Sequence, residues 1–132
     1  MFVFGGWDGY ESLNSVEIID LGSPDSKFQE LPNPMPSRIK NGVAVVNDAD
    51  DAIYMFGGWD ERETMSSVFR YDIQTQETHF DGFLPEKVEG HACVRIPGTN
   101  SVFIFGGYDS VYVTDRIMKY DLKKKEGSIV FG

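Results

Sequence analysis

At 132 residues the chain is long enough for one ordinary domain with a sizeable core and short for two. With 41% hydrophobic and 14% aromatic residues it is too rich in core-forming side chains to be a disordered segment. A net charge of -9 makes nucleic acid and anionic membrane surfaces poor partners, and a single cysteine rules out an internal disulfide.

Taken in chain order, the residues read as strands and turns with no convincing helix. Phe2-Val3-Phe4 opens the chain as a strand that ends in Gly5-Gly6, and Val16 to Ile19 forms the next, closed by Asp20. The connection Leu31 to Arg38 carries three prolines, Pro32, Pro34 and Pro36, and is expected to be a stiff spacer. Asn41 to Val46, the polar stretch Asn47 to Asp51, and Ala52 to Phe56 then read as strand, turn, strand. A third strand lies around Val68 to Tyr71 and a short fourth near Glu77 to Phe80, reached through the turn Asp72 to Thr75. The second connection, Asp81 to Gly90, keeps only the Leu-Pro pair at Leu84-Pro85. His91 to Ile96, Pro97 to Asn100 and Ser101 to Phe105 repeat the hairpin, and Lys123-Lys124-Lys125 reads as a solvated turn ahead of a last strand, Ser128 to Phe131.

These segments are copies of one unit. Met1 to Asp8, Ile53 to Asp60 and Val102 to Asp109 each run four apolar residues into a glycine pair, an aromatic and an aspartate, starting at residues 1, 53 and 102, close to a repeat period of about 50. The register continues without gaps through Val16, Val68 and Ile117, then Ile19, Tyr71 and Tyr120, then Asp20, Asp72 and Asp121, and an apolar column follows at Phe28, Phe80 and Ile129. Each unit is a four-stranded antiparallel meander whose central strand is apolar along its whole length, so both of its faces need cover from neighbouring copies. Stacked units of this kind make a β-propeller. The expected division is 1–36 for a blade lacking its first strand, 37–86 for a complete blade, and 87–132 for a complete or nearly complete one.

The pattern resembles the kelch repeat, in which an apolar strand ends in a double glycine and an aromatic-aspartate pair closes the next strand. Gly5-Gly6, Gly57-Gly58 and Gly106-Gly107 match the first element, and Tyr71-Asp72 and Tyr120-Asp121 the second, while Ile19-Asp20 lacks the aromatic. The family also tends to carry a tryptophan after that aspartate, where this chain has the column of Phe28, Phe80 and Ile129. The fold the resemblance implies is all-β, a partial kelch-type propeller of successive four-stranded blades. The glycine pairs are expected to supply positive φ and close backbone approach, and Asp20, Asp72 and Asp121 to accept hydrogen bonds from turn amides. Propellers close with 4–8 blades. Three accounts of so short an array stay open: a piece of a longer propeller, closure by further copies of the chain, or an excised piece of marginal stability.

By the same resemblance the chain is expected to be a non-catalytic protein-interaction module that binds a protein or peptide on the rim formed by the loops Trp7 to Ser15, Trp59 to Ser67 and Tyr108 to Thr114. The candidate partner-binding residues are Trp7, Asp8, Trp59, Asp60, Tyr108 and Asp109, with Arg38 and Arg62 beside them and Arg116 nearby. Two questions stay open from sequence: whether the three aromatics are exposed anchors or packing between blades, and whether the partner segment is acidic or basic. The wider roles implied are substrate recognition in a cullin-based ubiquitin ligase and actin binding, in the cytoplasm. The alternative is a piece of a propeller oxidase or sugar-acting enzyme. His79 and His91 have no metal-ligand spacing and Cys93 reads as an inert thiol in an apolar run, so neither metal nor cofactor is expected.

Overall fold

The computed structural model describes residues 1–132, and every regular element in it is a strand. β1 (Phe2–Trp7), β2 (Ser12–Ile18) and β3 (Gln29–Glu30) form a three-stranded sheet. β4 (Val43–Val46), β5 (Ala52–Phe56), β6 (Ser67–Asp72) and β7 (Glu77–Phe83) form a second sheet in that order, and β8 (Ala92–Arg95), β9 (Ser101–Phe105), β10 (Ile117–Asp121) and β11 (Glu126–Phe131) a third. All neighbours are antiparallel, as consecutive strands joined by short turns must be. These are blades of a partial kelch-like propeller.

Side chains close the turns. Asn47 Oδ1 accepts from the amides of Asp51 and Ala52, both at 3.2 Å, and so closes the β4–β5 hairpin. Between β6 and β7, Asp72 Oδ1 accepts from Gln74 N at 3.0 Å and Thr75 N at 3.1 Å. Asp121 does the same for Lys123 N at 2.9 Å and Lys124 N at 2.8 Å, and Asp20 for Gly22 N at 2.9 Å. The aspartates of the repeat signature are turn acceptors, and the three lysines around the last of these turns are exposed.

The two joints between sheets use opposite faces of β5. Successive side chains of a strand point to opposite sides, and here all five of its residues are buried. Ile53 and Met55 join Val16, Met35, Ile39, Met65 and Tyr71 in one core, against which Phe2 and Phe4 pack. Ala52, Tyr54 and Phe56 join Val68, Leu84, Val88, Val102, Ile104, Met118 and Tyr120 in the other. Edge-on aromatic pairs mark each joint, Phe4 with Tyr71 at 5.1 Å and Phe56 with Tyr120 at 5.5 Å. The apolar column at the outer side of the sheets behaves differently: Phe28, just ahead of β3, Phe80 in β7 and Ile129 in β11 are 52%, 54% and 45% exposed.

The glycine pairs sit where each sheet meets the connection to the next. Gly6 N donates to Ile39 O at 2.8 Å and Gly58 N to Val88 O at 2.9 Å. The preceding glycines, Gly5 at φ 58° and Gly57 at φ 60°, lie so close to those same carbonyl oxygens that a Cβ would collide with them. The connections are not free spacers. Leu31 N, Met35 N and Ile39 N donate to carbonyls of Val16, Asn14 and Leu13 in β2, and Leu84 N and Val88 N to those of Ser66 and Met65 just ahead of β6, so each connection is stitched back along its own sheet.

Candidate functional site

Three turns of one shape line the end of the sheets where the glycine pairs lie. In each, the aspartate after the aromatic folds the chain back on itself. Asp8 Oδ1 accepts from Tyr10 N and Glu11 N, both at 2.8 Å; Asp60 Oδ1 from Arg62 N at 3.0 Å and Glu63 N at 2.9 Å; Asp109 Oδ1 from Val111 N at 2.9 Å and Tyr112 N at 2.7 Å. The aspartate amide in turn donates across the loop, to Glu11 O, Glu63 O and Tyr112 O. The residue after it takes positive φ each time, 94° at Gly9, 77° at Glu61 and 85° at Ser110.

One carboxylate oxygen of each of these aspartates holds a turn, leaving Oδ2 without a hydrogen bond within the chain. The two turn amides hold the carboxyls of Asp8 and Asp109 below the usual carboxylate range, so both are charged at neutral pH. Repeat position had marked these residues as candidates; their turn-closing hydrogen bonds follow from backbone conformation, which the sequence shows only through the glycine at position 9.

Of the aromatics in front of them, Trp7 and Trp59 are linked across two sheets by one lysine, and Trp7 and Tyr108 stay open to solvent. Lys40, from the first connection, places its Nζ 4.4 Å from the ring centroid of Trp7 and 5.0 Å from that of Trp59. One ammonium is thus shared by indoles of adjacent sheets, worth about 0.5–1 kcal/mol per contact at an exposed site. Trp7 is 53% exposed and Tyr108 40%. Lys40 also pairs with Trp59 through the backbone, N to O at 3.1 Å and O to N at 2.8 Å. Glu89 holds the same relation to Tyr108 in the next joint and turns its Oε2 to the Thr64 hydroxyl at 3.0 Å. Nothing in the sequence singles out Lys40; its place is set by the connection strapped across the glycine pair.

The candidate cations are in unequal states. Arg38 is 3.0 Å from Glu11 Oε1 and donates to Ser12 O at 3.0 Å, and Arg116 is 3.4 Å from Glu86. Arg62 is exposed and forms no ion pair. Glu61 crosses to the neighbouring sheet, accepting from Ser12 N at 3.0 Å. Tyr10, Val111, Tyr112 and Val113 stand 66–92% exposed on the first and third turns.

Two features lie away from the rim turns. An apolar groove of about 300 Å³ runs along the free edge of β1, lined by Phe2, Phe4, Val43, Ala44 and Met55 with Lys40 at one end. His91 is buried, its Nε2 2.8 Å from Phe56 O, which makes Nε2 the protonated nitrogen and leaves Nδ1 without a partner. Burial lowers its pKa from 6.5, and burial pushes the Cys93 thiol up to about 12.

Among models of protein families, one described as the KLHDC2/KLHL20/DRC7 Kelch-repeats domain matches residues 1–130. No curated protein matches the chain.

Proposed function

Because this chain belongs to the kelch-repeat family, whose domains are protein-interaction modules, we propose that its rim is a non-catalytic reader of an extended, basic segment of a partner protein, with neither nucleic acid nor membrane as the target. The observation that carries this reading is the set of three like turns, each placing an aromatic beside a carboxylate with one oxygen unspent. Aromatics supply contact area at low entropic cost, and charged neighbours supply steering. The sign follows from the charges. The chain carries -9, Arg38 and Arg116 are already met by Glu11 and Glu86, and Lys40 is flanked by two indoles.

The groups best suited to chemistry are otherwise engaged. His91 donates to a backbone carbonyl, and the Cys93 thiol is held protonated by burial. In the cell the role proposed for such a reader is cytoplasmic, presenting a bound substrate to a cullin-based ubiquitin ligase or attaching to the actin cytoskeleton, the two roles that the family resemblance implies.

The test exploits the double role proposed for the aspartates. Asp8→Asn, Asp60→Asn and Asp109→Asn together keep the turn-closing oxygen and remove the charge. Fluorescence anisotropy with extended peptides rich in Lys, Arg and aromatic residues should show binding that weakens with salt, and about tenfold weaker in the triple variant, with thermal unfolding nearly unchanged. Equal binding of acidic peptides, or full affinity in the triple variant, would refute the reading.

A further inference from the structure

One ammonium lies between the only two indoles of the chain. Trp7 and Trp59 are its sole tryptophans, and Lys40 Nζ stands 4.4 Å from the ring centroid of the first and 5.0 Å from that of the second. That ammonium forms no ion pair and is met by ring faces instead. Each indole is followed directly by an aspartate, Asp8 or Asp60, whose Oδ1 is spent on its turn while Oδ2 is not. The place therefore favours a cation twice, through the ring quadrupoles and through the carboxylates next along the chain.

The strap across the glycine pair does not need this lysine. Lys40 holds Trp59 by two backbone hydrogen bonds, and Glu89 holds Tyr108 by the same two in the next joint. There the side chain accepts from the Thr64 hydroxyl at 3.0 Å, and no cation lies over an aromatic ring. Two residues of opposite charge thus serve one backbone role, and the head group at position 40 has no part in it. Lys40 and Trp59 are both half-buried, so the ammonium can leave the rings for water without breaking a hydrogen bond of the strap.

We infer that Trp7 and Trp59 form a two-ring site for an arginine side chain of the partner, and that Lys40 occupies this site in the free chain as a stand-in. The inference rests on the reading of the rim as a receptor for a basic segment. Arginine is the fitting cation because its planar, weakly hydrated guanidinium stacks on aromatic faces, which a strongly hydrated ammonium does less well. Two ring contacts of the strength usual at exposed sites favour the closed form about 5–30-fold, and the apparent affinity for an arriving cation falls by that factor.

Because the chain has no other tryptophan, its indole emission reports on this site alone. N-acetylarginine amide should change that emission in Lys40→Ala and in Lys40→Gln, binding each about 5–30-fold more tightly than the parent, and the neutral citrulline counterpart should bind none of the three. Arginine-rich peptides followed by anisotropy should gain by a similar factor in both variants. Lys124→Ala removes the same charge at the opposite end of the third sheet and should leave both affinities within about twofold. Circular dichroism of every variant should match the parent, since the backbone pair with Trp59 remains. Equal binding by the parent and the Lys40 variants overturns the inference, as does an emission change that citrulline reproduces. Peptide binding that Lys40 substitution leaves unchanged sinks the stand-in and spares the rim reading. An arginine amide response without binding of any basic peptide does the reverse.

Discussion

Tyr71 and Tyr120 occupy the same place in adjacent sheets, yet removing the same hydroxyl from each should move stability in opposite directions. Tyr120 donates to Asp81 Oδ2 at 2.7 Å, and the Asp81 side chain is 2% exposed with only Lys125 Nζ, 3.8 Å away, as a second partner. Tyr120→Phe therefore breaks a hydrogen bond to a buried carboxylate, at a cost of about 1.5–3 kcal/mol. Tyr71 is fully buried and its hydroxyl has no partner. Tyr71→Phe removes an unmet polar group while keeping the ring against Phe4, and should range from neutral to about 1 kcal/mol stabilising. Urea unfolding followed by tryptophan fluorescence reads both, with equal slopes showing that only stability has changed. In thermal melts Tyr120→Phe should lose about 5–12 °C for a chain of this size. Burial first, then the bond to Asp81, raises the Tyr120 pKa above its ordinary 10.0. Folded protein thus keeps a proton that unfolded chain releases above pH 10, so stability is full below that value and falls as pH rises past it. Tyr120→Phe should shrink that alkaline loss, leaving the part that comes from Tyr54 and Tyr71, whose pKa values burial raises as well. Equal destabilisation by the two substitutions would refute the assignment of Asp81 as the distinguishing contact.

Two further outcomes concern the joint between the second and third sheets. Burial lowers the His91 pKa from 6.5, so unfolded chain binds a proton before the folded protein does; stability is full above 6.5 and is lost as pH falls below it. In a His79→Gln background the urea midpoint should drop between about pH 7.5 and 5, and His91→Phe should flatten that drop while lowering stability at every pH. Gly57→Ala forces a methyl onto Val88 O, whereas at Gly106 the nearest atom to a Cβ is Thr114 O at 3.3 Å. Both share the strain of positive φ, roughly 1–2 kcal/mol, so Gly106→Ala should cost about that much and Gly57→Ala more than about 3 kcal/mol by urea unfolding; equal losses would refute the strap contact.

The sheets were legible in sequence because a diglycine after an apolar run marks the ends of β5 and β9, and an aspartate closes β6 and β10 and follows β2, by local chemistry; β1 runs through its glycine pair to Trp7. The span of β5 was readable for the same reason, its unbroken Ala52 to Phe56 run signalling cover on both faces. What lay hidden was anything made by two sheets together. Lys40 looks like an ordinary surface lysine until the connection from Leu31 sets it between Trp7 and Trp59. Asp81 looks like a loop carboxylate until Tyr120 reaches it from the next sheet. The stiff-spacer reading of the proline-rich connection missed its stitching for a related reason: Met35 and Ile39 are anchored by carbonyls of β2, whose positions are tertiary facts. The turn-closing hydrogen bonds of Asp8, Asp60 and Asp109 were missed because an aspartate beside an aromatic in a loop reads as contact chemistry, and only the backbone angles of Gly9, Glu61 and Ser110 reveal them.

Because each of these turns is locked by its aspartate and its backbone, the side chain at the second position inside it is released from architectural duty. Tyr10, Arg62 and Val111 occupy the same slot in three successive turns and share no chemistry at all. Exchange at such slots leaves the supporting hydrogen bonds intact, so these turns can change the chemistry they present by small edits, much as type is reset in a fixed frame.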